Sequence, residues 1–540
     1  MSDRTNRAPS GANAIPETFP ETVALHARTR PSHLFLREGE RSLTYAETQE
    51  TIDRLAAVFA AHGIGPERRC VILMENGLDY ALAWLALARL GAVSVLINQS
   101  YMGDILEHQL RLAGPDAIVV DEAQAAKLEA LPGRALLDSA PVFHGCSNAP
   151  ASMPPGFGER FVDLWRAPGD QALLGGVEPP EPSAMMSIFY TSGTTGPSKA
   201  VAYTHAQGWQ TAQTVADHLD GADVFYMTNP MCHVSLPHCL GAALLAGGTL
   251  AVRARFSASA FWSDIRHYGA TVTMMLGTVA SFVAGRPSAS DDRDHPLRKV
   301  LMVPLLENVS GFCDRFGVEV MSWFNMTEVS VPLHTGGFSR MCEPQALTPR
   351  AGAVVRVVDV LDRPVPPGTP GELVVRDAHP WLISSGYWGN ADATVQAWRN
   401  LWFHTGDLFV ENPPGHFRFL DRMKDCIRRR GENVASFEVE QQIACHAAVA
   451  EVAVVGVPAV DGEQEVLAVV VLKEEANLGP DALLDFLQDR LPYFCVPRYV
   501  MLQQMPLPKT PTGKVTKTEL RERGVAGAWD REQHGYRLRR

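Results

Sequence analysis

The sequence lacks the features of a secreted or membrane-spanning protein. Its nine cysteines are odd in number and include no C-x-x-C pair, which favours reduced thiols in the cytoplasm over a disulfide framework. The start, Met1 to Ala14, has no apolar segment of the signal-peptide kind. The most membrane-like run, Tyr80 to Ile97, is interrupted by Arg89 and Gly91, so it predicts a buried helix that leads into a strand.

Charge of one sign and several catalytic motifs are also missing. The net charge of −12 argues against nucleic-acid and anionic-membrane partners. No G-x-S-x-G elbow and no G-x-G-x-x-G after a strand are present. The sequence therefore lacks the motifs that would support an α/β-hydrolase or a Rossmann dinucleotide-binding fold. A Walker A loop is excluded as well, because only two residues separate Gly193 from Gly196 and Ala200 follows Lys199.

What is present predicts a multidomain α/β protein. A chain of 540 residues exceeds what one core usually organises, and 46% hydrophobic content is ordinary for a folded protein. Helical patterns alternate with short apolar runs up to about residue 275, which predicts layered α/β structure with a largely parallel sheet. Residues 353–376 predict antiparallel strands. After Phe419 the pattern predicts a small α+β unit, with a boundary near Asp421–Asp425.

A polar segment, Thr191–Lys199, lies between two apolar runs. Its hydroxyls, backbone N–H groups and lysine are donors that an anion could use, and its glycines allow a close approach. The pattern predicts strand, loop, strand. Composition alone leaves two interpretations open, a loop that holds phosphates and a flexible hairpin tip.

Three further segments carry candidate groups. Asp407 follows a Thr-Gly turn after an aromatic strand, where it could accept both hydroxyls of a ribose or simply end the turn. The charge-dense segment Arg422–Gly431 could be a hinge that meets phosphates or a solvated linker. The Pro-rich loop 506–514 presents Lys514, which could reach a distant cleft or lie in solvent.

Four potential zinc ligands occur within eight residues. They are Cys232, His233, His238 and Cys239. Their C-H-x4-H-C spacing matches no usual finger or ribbon, and the apolar residues between them favour the edge of a pocket over a metal site.

Taken together, six segments resemble the successive core motifs of the adenylate-forming superfamily. This family contains acyl-CoA synthetases, firefly luciferase and the adenylation domains of nonribosomal peptide synthetases. The segments are Tyr190–Lys199, Phe324–Glu328, Gly371–Leu373, Trp402–Leu408, Arg422–Gly431 and Pro508–Lys514. The resemblance extends from about Leu43 to Lys517. Within the family, Met326–Ser330 and Arg428–Val434 are most similar to crotonobetaine/carnitine-CoA ligases.

The resemblance implies a fold and a division into domains. The fold is a large N-terminal domain of layered α/β sheets with a β-rich subdomain, followed by a small mobile α+β domain. The expected division is a flexible tail (1–18), an N-terminal adenylation domain (19–421), a hinge (422–425), a C-terminal mobile domain (426–525) and a second tail (526–540).

It also implies a reaction that uses ATP, Mg²⁺ and coenzyme A. A carboxylate attacks the α-phosphorus of ATP to give an acyl-adenylate and pyrophosphate, and a thiol then displaces AMP. The loop residues expected to close on the β- and γ-phosphates are Thr191, Ser192, Gly193, Thr194, Thr195, Gly196 and Lys199. Glu328 would hold magnesium together with Thr195, and Thr327 would approach the α-phosphate.

The remaining roles follow in the same way. Phe324 would stack on adenine, with Asn325 and Met326 in the same motif, and Asp407 and Arg422 would bind the ribose hydroxyls. Lys514 would bridge the carboxylate and the α-phosphate, and His233 would lie at the acyl site. Lys424 aligns with the hinge, whose rotation would bring Gly431 to the pantetheine tunnel.

The substrate expected is a carboxylic acid without a free α-amine, because no aspartate is evident in Met231–Ser235 to pair with an ammonium group. Two departures put the acid in doubt, Phe324-Asn325 for the usual Tyr-Gly and Val303-Pro304-Leu305 for the usual small residues. The rivals are a stand-alone enzyme that loads a carrier protein and an inactive nucleotide-binding relative. We expect a cytoplasmic protein with small-molecule partners and no membrane span, and a homodimer is one assembly that the resemblance allows.

Overall fold

The structure is a computed structural model, and it describes residues 18–131, 133, 137, 139–148, 156–191, 198–306, 308–340, 347–429, 432–459, 464–509 and 515–538. The chain divides into two compact units. The first comprises Met1–Glu343, Pro349–Val354 and Arg376–Gln396, and the second comprises Pro344–Thr348, Val355–Val375 and Ala397–Arg540.

Two seven-stranded sheets form the frame of the first unit. In spatial order, one contains Glu319–Met321, Lys299–Val303, Val272–Leu276, Val224–Met227, Thr249–Val252, Leu34–Glu38 and Arg41–Thr44. The other contains Phe161–Asp163, Val142–His144, Ala117–Val120, Arg69–Leu73, Val93–Leu96, Met185–Thr191 and Lys199–Thr204. Neighbouring strands are parallel except for the last pair of each sheet. The predicted parallel α/β architecture is therefore confirmed, as two sheets.

A layer of helices lies between the two sheets. Its members are Phe19–Thr29, Tyr45–Ala61, Leu78–Arg89, His205–Ala216 and Ser235–Ala246. The helix Leu78–Arg89 is buried at every position before its last residue, which explains its nearly continuous apolar sequence. It leads into the strand Val93–Leu96, as predicted for this run. Successive strand residues face opposite cores, so Ile72 contacts the middle layer and Val71 contacts an outer one.

Helices also cover the outer faces of the sheets. Gly103–Ala113 and Glu122–Glu129 pack on one sheet, and Phe261–Tyr268, Gly277–Ala284 and Val309–Phe316 pack on the other. The first unit is therefore a sandwich of five layers. It also holds the 3₁₀ turns Gly158–Arg160 and Gln171–Leu174, the hairpin strands Trp323–Met326 and Ser330–His334, and the helix Ala391–Ala397 except for its last residue.

The second unit contains three smaller sheets. A four-stranded sheet comprises Ala353–Val358, Gly371–Asp377, Phe403–Glu411 and Phe417–Arg422, and a hairpin comprises Ile427–Arg429 and Glu432–Val434. The third sheet comprises Val449–Pro458, Gln464–Leu472, Tyr499–Gln503 and Trp529–Asp530. The helices are Ser436–Ala444, Pro480–Gln488 and Lys517–Arg523, with a 3₁₀ turn at Arg399–Leu401.

The structure refines several sequence expectations. The segment 526–540, expected as a tail, contains the strand Trp529–Asp530, which pairs with Tyr499–Gln503 and is held by ion pairs from Arg498. The expected hinge, 422–425, lies within the second unit and stays a prediction. Within the described ranges, no helix has the length and apolar character needed to cross a bilayer.

Candidate active site

The first group of candidate residues lies where strands of one sheet end. Strands Val224–Met227, Val272–Leu276, Lys299–Val303 and Glu319–Met321 are parallel neighbours, so their carboxyl ends meet at one edge. The segments that leave this edge carry His233, Pro304 and the strand Trp323–Met326. In open α/β sheets, ligands bind outside the carboxyl ends of strands, so the residues with the predicted acyl and adenine roles lie at an edge of the kind that binds ligands, and those roles stay predictions.

The two strands around the polar loop form an antiparallel hairpin. Thr191 pairs with Lys199, so both predicted strands are confirmed, while residues 192–197 lie outside the described residues. Both ends of the loop are tied to Gln109 on the helix Gly103–Ala113. The Tyr190 hydroxyl donates to the Gln109 carbonyl oxygen over 2.6 Å, and Gln109 Nε2 donates to Ser198 Oγ over 3.1 Å. The loop therefore starts and ends at fixed points.

Tyr387 connects this hairpin to the Thr-Glu motif. The backbone of residues 386–388 runs along the hairpin, where Trp388 N donates to the Ala200 carbonyl over 2.7 Å. The Tyr387 hydroxyl donates to Glu328 Oε1 over 2.9 Å. On its ring face, Lys199 Nζ lies 4.6 Å from the ring centroid. Burial, reinforced by the Glu328 carboxylate, raises the pKa of Tyr387 well above its usual value, so the hydroxyl keeps its proton as the donor.

Thr327 and Glu328 form the tip of a hairpin between Trp323–Met326 and Ser330–His334. Ser330 has φ +58°, a left-handed conformation that is uncommon for serine. Its Oγ donates to the Leu382 carbonyl over 3.1 Å, and Gln207 Nε2 lies 3.4 Å from both Ser330 Oγ and the Glu328 carbonyl oxygen. These polar contacts hold the turn, and both tip residues are buried, with 5% and 6% of their surface exposed.

The Cys232–Cys239 segment leads into the helix Ser235–Ala246, which is buried along most of its length. His238 is buried with its ring edge against Trp323, at 5.1 Å between ring centroids. Burial lowers the pKa of His238 to about 3, so the ring is neutral at physiological pH. Cys239 Sγ packs 3.9 Å from Met274 Sδ. Among the residues with described positions, no group of three or more His, Cys, Asp or Glu side chains gathers as metal ligands would.

Asp407 belongs to the second unit, where a β-bulge presents it. Glu372 pairs with Leu408 and Val374 pairs with His404, so residues 405–407 exceed the regular register and loop out. Gly406 makes this possible with φ +70°. Asp407 faces Arg422 on the next strand, with Asp407 Oδ1 3.8 Å from Arg422 Nε. The pair predicted for the ribose hydroxyls is therefore adjacent.

Lys424 lies just after that strand, in a turn that continues into the C-terminal hairpin. Lys424 is exposed. Partial burial of the ammonium lowers the pKa of Lys424 to about 8. The opposing effect of Asp425 is smaller than that of burial.

The other predicted residues fall into two groups. Phe324, Asn325, Met326 and His233 are half-buried at the edge described above. Ser192, Gly193, Thr194, Thr195, Gly196, Gly431 and Lys514 lie outside the described residues. Sequence reasoning assigned no role to Tyr387, Gln207 or Glu372. An aromatic pair in a polar loop, Tyr387-Trp388, was the available signal for the first of these.

The chain is similar in sequence and in fold to known proteins. The family described as "AMP-binding enzyme" matches residues 18–388, and its C-terminal domain matches residues 438–514. A crotonobetaine/carnitine-CoA ligase of Salmonella paratyphi A is 29% identical over 497 residues, which cover 89% of this chain and 93% of that protein.

Two solved structures have a similar fold. ATP-bound MatB from Rhodopseudomonas palustris aligns with a TM-score of 0.78 and 24% identity, over 93% of this chain and 98% of that one. The anthranilate CoA ligase AuaEII in complex with anthranoyl-AMP aligns with a TM-score of 0.81 and 18% identity, over 95% and 98% of the two chains.

Proposed function

The chain belongs to the AMP-binding enzyme family, and from that premise we propose that it is an ATP-dependent acid–thiol ligase acting on coenzyme A. In the first half-reaction, a carboxylate oxygen attacks the α-phosphorus of ATP, so that an acyl-adenylate forms and pyrophosphate leaves. In the second, the sulfur of coenzyme A attacks the acyl carbon and loses its proton, and AMP leaves with the bridging oxygen.

The observation that carries this proposal is the contact of Tyr387 with both Lys199 and Glu328. It places a cation beside the stem of the polar loop and a buried carboxylate behind it. Pyrophosphate release needs charge compensation on the phosphate oxygens, and preorganised charges supply most of the catalysis in phosphoryl and nucleotidyl transfer. The loop 191–199 therefore acts as a clamp on the β- and γ-phosphates, with Lys199 as its cation.

Magnesium fits this arrangement as a cation shared with the substrate. Mg²⁺ prefers oxygen ligands and is usually held by one or two carboxylates together with phosphate oxygens. Glu328 is such a carboxylate, and one of its oxygens already accepts the Tyr387 hydrogen bond. Bound Mg²⁺ would neutralise phosphate charge, and Thr195 is the second ligand expected from the sequence.

The remaining roles are those that the motifs imply. Thr327 approaches the α-phosphate, and Phe324 offers a flat face to adenine. Asp407 and Arg422 bind the ribose hydroxyls, and Lys514 bridges the acid and the α-phosphate. Rotation at Lys424 then withdraws Lys514 and brings the Gly431 segment to the thiol, so one site serves both half-reactions.

The acid substrate has no free α-amine. His233 lies at the carboxyl edge of the sheet, and the segment 231–235 that contains it offers no carboxylate to pair with an ammonium group. Asn325 adds an amide to this edge where the family commonly has glycine, which favours an acid with a polar group. The similarity to crotonobetaine/carnitine-CoA ligase makes betaine-type acids a natural part of any substrate panel.

A reduced cytoplasmic location accompanies the proposal. All eight cysteines in the described ranges are free thiols. ATP and coenzyme A are substrates of the intracellular environment. The homodimer stays a prediction.

A substrate screen tests the proposal. Short, branched, aromatic and betaine-type acids are incubated with ATP and either free coenzyme A or a carrier protein, and AMP and thioester are quantified by mass spectrometry. Acid-dependent AMP with acyl-CoA supports the ligase. Thioester on the carrier protein alone supports the carrier-loading rival, and absence of acid-dependent pyrophosphate release across the panel supports an inactive relative.

A further inference from the structure

The side chain of Glu372 fills the bulge that presents Asp407. Its Oε1 accepts a hydrogen bond from the backbone N–H of Gly406 over 2.9 Å. Its Oε2 accepts from Arg399 Nη2 over 2.8 Å and from His404 Nδ1 over 2.9 Å. We propose that Glu372 is the positioning residue that holds Asp407 in reach of the ribose, an inference that rests on the proposed function for the role of Asp407.

The bulge needs such a support, because its backbone leaves the regular ladder. Between the Glu372–Leu408 and Val374–His404 pairs, the strand Phe403–Glu411 has two more residues than its partner. Gly406 N–H therefore has no ladder carbonyl opposite it, and the Glu372 carboxylate takes that place. A hydrogen bond from a backbone N–H to an ionised carboxylate is stronger than a neutral one, which suits a fixed anchor.

The carboxylate itself is held in place by two donors. Glu372 is 6% exposed and His404 is 7% exposed, so the group is buried and needs partners. Because an ionised carboxylate only accepts, His404 carries its proton on Nδ1. Arg399 supplies the balancing positive charge from a side chain that is 46% exposed. Rotation of the Glu372 side chain away from Gly406 would also disturb its hydrogen bonds with Arg399 and with the buried His404, so these two partners favour the observed position.

Hydrogen bonds of the neighbouring residues connect this fixed point to Asp407. Thr405 Oγ1 donates to the Leu373 carbonyl over 2.7 Å and accepts from Asp407 N over 3.1 Å. On the other side, the Gly406 carbonyl accepts from Met423 N over 2.9 Å. The peptides before and after Gly406 are thereby held, with the Glu372 carboxylate on the Gly406 N–H. The direction of the Asp407 side chain follows from this geometry.

A binding measurement tests the proposal without knowledge of the acid substrate. Calorimetry gives the dissociation constants of AMP and of 2′,3′-dideoxy-AMP, which lacks both ribose hydroxyls, and their ratio reports the hydroxyl contacts. In Glu372→Gln, an amide NH₂ group replaces one carboxylate oxygen, so it faces one of the three donors and cannot accept its hydrogen bond. In Glu372→Asp, the charge stays but the carboxylate no longer reaches Gly406. We expect the preference for AMP to fall about 10-fold or more in both, as loss of hydrogen bonds to a charged group typically does.

The same strand offers a matched control. Glu411 Oε1 accepts from the N–H of Gly415 over 2.8 Å, so Glu411→Gln perturbs a second carboxylate–glycine contact of this sheet. The ratio in Glu411→Gln is expected to equal that of the wild type. Circular dichroism confirms folding, and the milder Glu372→Asp keeps the test valid if Glu372→Gln does not fold.

The variant Asp407→Asn distinguishes the positioning role of Glu372 from the ribose-binding role of Asp407. If Asp407→Asn and the Glu372 variants all lose the preference, the positioning role is supported, even if no acid in the screen is turned over. If Asp407→Asn loses it and both Glu372 variants keep it, the positioning role is overturned while the ribose role of Asp407 stands. If Asp407→Asn keeps the wild-type ratio, both assignments are overturned.

Discussion

The hydroxyl of Tyr387 donates a hydrogen bond to Glu328 Oε1 over 2.9 Å, while its ring lies against the ammonium of Lys199. One side chain thus fixes a carboxylate and a cation that belong to different motifs. The two groups have opposite charges, and their predicted roles differ accordingly: Lys199 would contact the phosphates of ATP, and Glu328 would hold magnesium. The arrangement of these three residues is therefore the part of the site that is most open to direct testing.

Replacement of Tyr387 by Phe removes the hydrogen bond and keeps the ring. The Glu328 carboxylate loses a partner in a buried position, and a hydrogen bond to a charged group is worth about 1.5–3 kcal/mol. We expect kcat/KM for ATP in acid-dependent pyrophosphate release to fall about 10-fold to 100-fold. Tyr387→Leu, which also removes the cation–π contact, is expected to fall further.

Tyr226 offers the matched control for this substitution. Its hydroxyl donates to Asp264 Oδ2 over 2.6 Å on the outer face of the sheet. Tyr226→Phe should lower the melting temperature and leave kcat/KM unchanged. Equal losses of kcat/KM in the two Phe variants would mean that the Tyr387 contact serves stability alone.

Lys514→Ala is expected to slow adenylation by about 100-fold or more, because a positioned charge is lost from the reacting oxygens. ATP–pyrophosphate exchange measures this half-reaction. The control is Lys509→Ala on the same loop, where the ammonium pairs with Glu451 Oε1 at 2.5 Å. Unchanged exchange in Lys514→Ala would remove this lysine from its assigned role.

Lys424→Pro is expected to impair thioester formation far more than adenylation, because proline restricts the backbone where rotation is predicted. Single-turnover measurements of acyl-AMP and acyl-CoA formation separate the two steps. Lys424→Ala, which keeps the backbone free, isolates the contribution of the ammonium. An equal loss of both half-reactions in the Pro variant would refute the hinge.

Acid should destabilise the protein through buried neutral histidines. Burial lowers the pKa of His205 to about 4 and that of His238 to about 3. The unfolded chain then binds more protons below pH 6.5, so stability falls as pH falls, by up to about 1.4 kcal/mol per pH unit for each residue. Thermal unfolding between pH 7 and 5 should show a shallower decline for His205→Leu than for the wild type. His379→Gln, a substitution at an exposed histidine, is the control variant. If the stability of His205→Leu declines with pH as steeply as that of the wild type, the assignment of His205 as a buried neutral histidine is contradicted.

The family and the reaction class predicted from the sequence are confirmed by the family match and by the curated relatives. The sequence also predicted individual elements, such as the buried helix and the following strand in the run Tyr80–Ile97, which the structure has at Leu78–Arg89 and Val93–Leu96. Local periodicity carries this information, because burial on one face repeats along each element. The two hairpin strands around the polar loop were predictable for the same reason.

Periodicity could not assign strands to sheets or side chains to partners. Leu34–Glu38 is the first strand in the described residues, yet it pairs with Thr249–Val252, more than two hundred residues later. Tyr387, Gln207 and Gln109 act on motifs that are distant in sequence, and such contacts depend on tertiary pairing alone. Glu372 lies within a recognised motif, but its contact with Gly406 depends on the bulge, which the sequence pattern does not reveal.

The most direct test of the central claim follows an oxygen atom. Once the screen identifies an acid, that acid is labelled with ¹⁸O in its carboxylate and incubated with the enzyme, ATP and coenzyme A, and the nucleotide product is weighed by mass spectrometry. Attack of the carboxylate on the α-phosphorus followed by thiolysis predicts that one ¹⁸O is transferred to AMP. Unlabelled AMP, or ADP with ¹⁸O in orthophosphate, would contradict an acyl-adenylate intermediate.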